Sequence, residues 1–232
     1  MNIPEENCRR LMSLVAHELR SPGAVVSGYL RLLARNTAPS LSEAERKMID
    51  EANKSCGRLL NIASELSELA ELSSDDPIRP GQQVPIFSLC GDVVQAAAHA
   101  GAVVSFSMDE RDKGARVEGE AGRLRQALGL FVSVVGRERG ATAMTVTGAV
   151  SRASGPRAVL VFGEPADAAD LNAVVGASTS GFDRWRGGTG LSLPIACRIV
   201  EAHQGILTLD YGAPRTEFVI WLPVAQSREE AA

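Results

Sequence analysis

Between residues 5 and 73 apolar side chains recur at three- and four-residue steps, and this periodicity limits the fold more than any other feature of the chain. From about Glu5 to Leu33 the pattern runs through Leu11, Leu14, Val15, Val25, Val26, Tyr29, Leu32 and Leu33, the spacing of one helical face. A second set, Met48, Ile49, Ala52, Leu59, Ile62, Ala63, Leu66 and Leu69, continues to about Ser73. The turn NTAPSLS separates them, and Ser42 with Glu45 makes a capping box that opens the second helix. Pro22 interrupts the first. It lacks an N–H and crowds the carbonyl of Glu18, so a kink is expected one turn after His17. Two helices joined by so short a turn form an antiparallel hairpin. Its stripe cannot be covered within the hairpin alone, and pairing with a second copy into a four-helix bundle is the economical solution. A homodimer is expected.

The segment SSDDPIRPGQQVP (73–85) is polar and proline-bearing and reads as a linker. Beyond it the pattern becomes mixed. Helical stretches fall near 88–99, 121–137 and 190–203, and strand-like runs at 102–108, 143–150, 157–163, 205–211 and 216–224. The expected division is a helical hairpin over 1–74, a linker over 75–85 and an α/β domain over 86–232. The fold class is therefore α+β, with a dimeric hairpin ahead of an α/β sandwich.

Composition excludes some functions. With 45% hydrophobic and 22% charged residues the chain is globular rather than disordered, and a net charge of -4 argues against binding nucleic acid through bulk electrostatics. Cys8, Cys56, Cys90 and Cys197 are scattered and form no CxxC pair, so ordinary thiols in a reducing compartment are expected and no metal site is assigned. No apolar run approaches the ~18 residues of a membrane span. The expected location is the cytoplasm, with no membrane anchor in the chain.

One stretch carries chemistry: MSLVAHELRSP, residues 12–22. A helix histidine by itself is most often a surface or core residue. Here His17 and Ser21 stand one turn apart and share a face. HELRSP, within LMSLVAHELRSPGAVVSGYLRLL, resembles the phosphorylation-site motif of two-component histidine kinases. LSEAERKMIDEANKSCGRLLNIASELSEL resembles the partner helix of their dimerisation hairpin. GGTGLSLPIACRIVEAHQGILTL, ending in EFVIWLPV, resembles the last glycine-rich box, helix and strands of their ATP-binding (Bergerat-type) domain. The resemblance implies that His17 accepts the phosphoryl group through a neutral imidazole lone pair. It implies that Glu18 orients and deprotonates that imidazole. It also implies that Ser21, where the family usually has threonine, positions water for dephosphorylating the partner. The alternatives are a solvated helix charge for Glu18 and a plain pre-proline residue for Ser21.

In that family a helix asparagine supplies the magnesium ligand, a strand-end aspartate reads the adenine amino group, and glycine turns let backbone N–H groups approach phosphate. The glycine turn is intact at Gly188, Thr189, Gly190 and Leu191, before a helix N-terminus that favours an anion. A plain loop-to-helix junction is the alternative. The asparagine box is broken: aligned through Arg123, Leu124, Arg125 and Gln126, the expected asparagines fall on Leu130 and Val134. Valine cannot ligate Mg²⁺, and Glu138 lies one turn further on. The aspartate box is broken too, reading VFGEPADAA, with Glu164 and Pro165 after the strand. Residues 113–166 contain neither Asn nor Asp, so no shift of alignment there recovers a ligand. VVGASTSGFDRWRGG (174–188), with Arg184, Trp185 and Arg186, matches the position of the lid over ATP. His203 reads as a helix C-terminal residue ahead of a cap at Gly205, and His99 carries no signal.

The reading is a sensor-less, histidine-kinase-type phosphorelay protein that carries phosphate on His17 and exchanges it with a response-regulator aspartate. Its ligand chemistry speaks against intrinsic ATP-dependent autophosphorylation. ATP and Mg²⁺ are its cofactors only if it acts as a kinase. The alternatives are an ATP-independent phosphotransferase or phosphatase, and a non-catalytic pseudokinase that regulates a partner kinase. The expected partners are a second copy, a receiver domain and a separate sensor protein.

Overall fold

The structure is a computed structural model that describes residues 5–36, 41–72, 82–139, 142–152, 155–163, 191–208 and 216–225. The chain divides into two compact units, Met1–Asp75 and Asp76–Ala232.

The first unit is the hairpin. Helix α1 spans Glu5–Asn36 and helix α2 spans Glu43–Leu72. Pro22, where a kink is expected, lies inside α1, which continues through it as one helix. The capping box forms at the start of α2. The Ser42 backbone N–H and Oγ–H donate to Glu45 Oε2 (2.8 and 2.7 Å), and the Glu45 N–H donates back to Ser42 Oγ (3.3 Å).

The seam between the helices is built mainly from small residues, with Leu60 and Leu69 set among them. Ala16 and Ser27 of α1 are buried, as are Cys56, Ala63, Leu69 and Ala70 of α2. Cys56, Ala63 and Ala70 recur every seventh residue, as do Ala16 and Gly23, the repeat of a left-handed helical seam. Leu60 fills the notch at Gly23, where an added Cβ would lie 2.8 Å from Leu60 Cδ2. The Cys56 thiol donates to the Gly23 carbonyl at 3.2 Å. Many large side chains are left outside: Leu11, Leu14, Val15, Leu19, Val25, Val26, Tyr29, Leu32 and Leu33 on α1, and Met48, Leu59 and Ile62 on α2, are all exposed.

The second unit is a two-layer sandwich. Strand β1 (Gln83–Pro85) pairs antiparallel with β3 (Arg116–Glu118) in a small sheet. β1 falls within the stretch expected to be linker. β3 and the single 3₁₀ turn at Glu110–Asp112 were also not expected. The main sheet holds β2 (Val104–Met108), β4 (Met144–Ser151), β5 (Arg157–Gly163), β6 (Ile206–Thr208) and β7 (Thr216–Pro223), in the order β2-β4-β5-β7-β6. β2 and β4 are parallel, and the remaining pairs are antiparallel.

Helices α3 (Ile86–His99), α4 (Ala121–Arg139) and α5 (Ser192–Ala202) cover one face. Strand alternation decides which residues meet them. Phe162 and Phe218 turn to the helices, where Phe131 of α4 stacks on both at ring-centroid distances of 5.8 and 5.5 Å. Their neighbours Val161 and Val219 turn to the other face, in a cluster with Val159 and Trp221. Each fully buried side chain of this size contributes about 1.5–3 kcal/mol. Gly148 of β4 admits Phe87 of α3 against the backbone, where a Cβ would stand 2.8 Å from the ring. Three of the four cysteines are buried and all four are free. No helix among the described residues is long and apolar enough to cross a membrane.

Candidate functional site

The rotation of α1 about its axis sets the position of His17. Ala16, fully buried against α2, fixes that rotation, and each residue advances 100° around a helix. His17 therefore turns away from α2, and its side chain is 75% exposed. Ser21 lies one turn on, on the same flank, and is exposed as well. Glu18 is close to the ring. Its Oε1 stands 3.7 Å from His17 Nδ1, beyond hydrogen-bond range but near enough for electrostatic orientation. Arg20, in the same motif, reaches across the seam and donates from Nη2 to Ser67 Oγ at 3.2 Å. This bond joins the two helices three residues after His17. Sequence reasoning passed over it because a helix period does not show which pairs of residues face each other across a seam.

On the other unit, α4 presents a different surface. Val134 is 0% exposed and belongs to the core with Phe131 and Val135. Leu130 is half-buried. Arg123 Nη1 donates to Gln126 Oε1 at 3.5 Å. A cavity of about 430 Å³ opens on the flank of α4 that carries Gly129, Val132, Ser133 and Gly136, and Val134 is not among the residues lining it.

Residues 9–75 match the family model described as the His Kinase A (phospho-acceptor) domain. The chain is 27% identical over 226 residues to the probable sensor histidine kinase TcrY of Mycobacterium tuberculosis, covering 94% of this chain and 46% of that protein. It is 26% identical over 235 residues to the sensor histidine kinase TrcS of the same organism, covering 95% of this chain and 44% of TrcS. Residues 9–75 thus carry the pattern of a phospho-acceptor domain, and over most of its length the chain is similar to sensor histidine kinases. It spans about half the length of the curated relatives it matches. Among solved structures, full-length ShkA in complex with AMPPNP superposes with a TM-score of 0.65 at 23% identity, covering 94% of this chain and 46% of ShkA, a likeness of fold.

Likeness to sensor histidine kinases raises Mg-ATP as a ligand, and the described residues can be tested for it. Val134, the position on which the motif resemblance puts an oxygen ligand, offers hydrocarbon and is fully buried. Among the described residues no group of three or more His, Cys, Asp or Glu side chains could hold a metal ion. α4 as placed does not fit the cation. Of the glycine turn, Leu191 is described: it precedes α5, and its carbonyl accepts from the Ile195 N–H at 3.0 Å. Gly188, Thr189 and Gly190, together with Glu164, Pro165, Arg184, Trp185 and Arg186 and the side chain of Glu138, lie outside the described residues.

His203 ends α5 as expected, but the cap that follows it differs. His203 is buried, with both ring nitrogens hydrogen-bonded, and the left-handed residue after the helix is Gln204 (φ 56°), not Gly205. Gly205 is required for another reason: a Cβ there would stand 2.6 Å from Val200 Cγ1 and 2.9 Å from the Trp221 carbonyl oxygen. His99 is exposed.

Proposed function

We propose that this chain is a phosphohistidine carrier in a two-component relay, with His17 exchanging a phosphoryl group with the aspartate of a response-regulator receiver domain. The observation that carries the reading is a contrast in burial. The His17 side chain is open to a partner at 75% exposure, while Val134, on which the motif resemblance puts the metal ligand, is a buried hydrocarbon. The relatives' names support kinase-family signalling, and the residues of α4 favour a phosphate source other than the chain's own ATP.

The chemistry uses residues already placed. With Glu18 near Nδ1, the ring proton is favoured on that nitrogen, which leaves the Nε2 lone pair free to attack. Nε2 forms the N–P bond and the acyl P–O bond breaks. The receiver aspartate leaves as a carboxylate with the electron pair, and the Glu18 charge stabilises the cationic ring. In a separate hydrolytic reaction Ser21, exposed on the same flank, would hold a water against the receiver's acyl phosphate, which releases inorganic phosphate and the free aspartate. The exposed apolar stripe of α1 and α2 pairs with a second copy to complete a bundle.

The test is a pair of labelling reactions on the purified full chain, one with radiolabelled Mg-ATP and one with a phosphorylated receiver domain. Transfer from the receiver that His17→Ala removes, with no labelling from ATP, is the expected result. Labelling from ATP that depends on His17 would overturn the proposed phosphate source. Labelling from neither would leave a binding protein in place of a carrier.

A further inference from the structure

We infer that His203 is a proton-operated latch joining the end of α5 to the turn that opens α4, sprung by the left-handed Gln204 beside it. The ring is 4% exposed and sits between two backbones. Its Nδ1–H donates to the Ile199 carbonyl at 2.7 Å, one turn back on α5. Its Nε2 accepts from the Glu120 backbone N–H at 3.1 Å. A carbonyl only accepts and an amide N–H only donates, so the neutral Nδ1–H tautomer alone satisfies both bonds. A protonated ring carries hydrogen on Nε2 as well. It must give up Glu120.

The packing makes the latch specific. Gly119, just before Glu120, lies so close that a Cβ at that position would collide with the His203 ring. At the other side the chain leaves α5 through a Schellman closure. The Gln204 N–H donates to the Glu201 carbonyl (2.9 Å) and the Gly205 N–H to the Val200 carbonyl (2.8 Å). That motif normally places glycine where Gln204 stands, and a φ of 56° is disfavoured for any residue with a Cβ. The bonds of His203 hold a strained residue in place, so releasing them also releases the strain.

The direction of the pH response follows from the surroundings. Burial holds the His203 ring below the ordinary histidine value of 6.5, against the opposing effects of the Ile199 bond and the Glu120 charge. Of the charged groups on the packed elements, the Glu120 carboxylate acts on the ring from the turn. Glu118 of β3 is exposed, Glu201 of α5 is held by Arg198 at 3.3 Å, and Arg123 of α4 reaches Gln126. β6 carries no ionisable side chain. Below 6.5 the opened form binds a proton more readily than the latched form does. The latch is therefore complete above that pH and weakens as pH falls toward the depressed value.

Amide hydrogen exchange on the full chain tests this, comparing pH 7.5 with pH 5.5 after correction for intrinsic rates. Protection at the Glu120 and Gly205 amides should fall in the wild type, by at most about tenfold, the limit for a free value of 6.5 and a latched ring that takes no proton. His203→Gln, which places a non-titrating carboxamide near Nε2, should abolish that pH dependence, and Gln204→Gly should reduce the loss. Equal protection at both pH values in the wild type, or an unchanged pH dependence in His203→Gln, overturns the latch. If His203→Gln fails to fold, the wild-type ring nitrogens decide. The Nδ1–H tautomer with a titration midpoint below 6.5 supports the latch, whereas the Nε2–H tautomer or a midpoint at or above 6.5 refutes it.

Discussion

Val134 and His17 stand at opposite extremes of exposure, 0% and 75%, and each follows from its place on a helix. Val134 is fully buried in the core around α4, so Val134→Asn is not expected to rebuild a metal site. It buries a carboxamide without partners, and a loss of about 1–3 kcal/mol in thermal unfolding is expected, with no gain of Mg-dependent ATP binding by calorimetry. Such a gain would show that α4 can turn to face a nucleotide. Ser42 is the other residue whose side chain has one readable task. Ser42→Ala removes the oxygen that accepts from the Glu45 N–H, and a cost of about 1 kcal/mol is expected in a denaturant melt of the chain. Hydrogen bonds from Ser42 hold the Glu45 carboxyl below its usual range. The cap's contribution is therefore full above the ordinary glutamate value and declines as pH falls through the lowered one. A Ser42→Ala loss of equal size at pH 7 and pH 3 would contradict this account of the cap.

At the scale of the elements, the hairpin separates two kinds of apolar residue that the sequence pattern had merged. Small residues close the α1–α2 seam: with Ala16, Cys56, Ala63 and Ala70 in contact positions, the helices approach closely. The large residues, Leu11, Val25, Tyr29 and Leu32 among them, face outward on α1. Such a face requires a cover in water, and a second copy presents an identical one. Val25→Glu with Leu32→Glu is expected to weaken self-association by at least about a hundredfold, equivalent to about 2.7 kcal/mol, in sedimentation equilibrium. A wild-type chain that is monomeric at micromolar concentration would remove the basis for the bundle. The periodicity of 5–73 made both helices and the capping box legible. It did not show which face met which helix, because a 3.6-residue period gives the direction of a stripe and not the identity of its partner.

For the whole molecule, the likeness to sensor histidine kinases and the burial of Val134 point in different directions, and a thermal melt separates them. Mg-ATP at a hundred times a supposed dissociation constant would add about 2.7 kcal/mol to a chain that binds it. No rise in Tm with millimolar Mg-ATP is expected here, and a clear rise would restore the kinase reading. The fold class was legible from the change of period after residue 85, and the five strands of the main sheet lie where alternation placed them. The short strands β1 and β3 were not, since three residues paired across the chain leave no period to read. The phosphoacceptor motif likewise stands in the sequence, because its residues are neighbours along one helix. The sequence by itself determined the helical hairpin, the α/β composition of the second unit, the HELRSP motif and the absence of an amide or acid at position 134. Only the tertiary structure decided that mainly small residues close the hairpin while many large ones stay outside. It alone decided that Val134 is core, and that His203 ties α5 to the turn before α4. These are contacts between segments up to 83 residues apart, and the energy that fixes them comes from packing and from paired buried polar groups, neither of which a local pattern encodes.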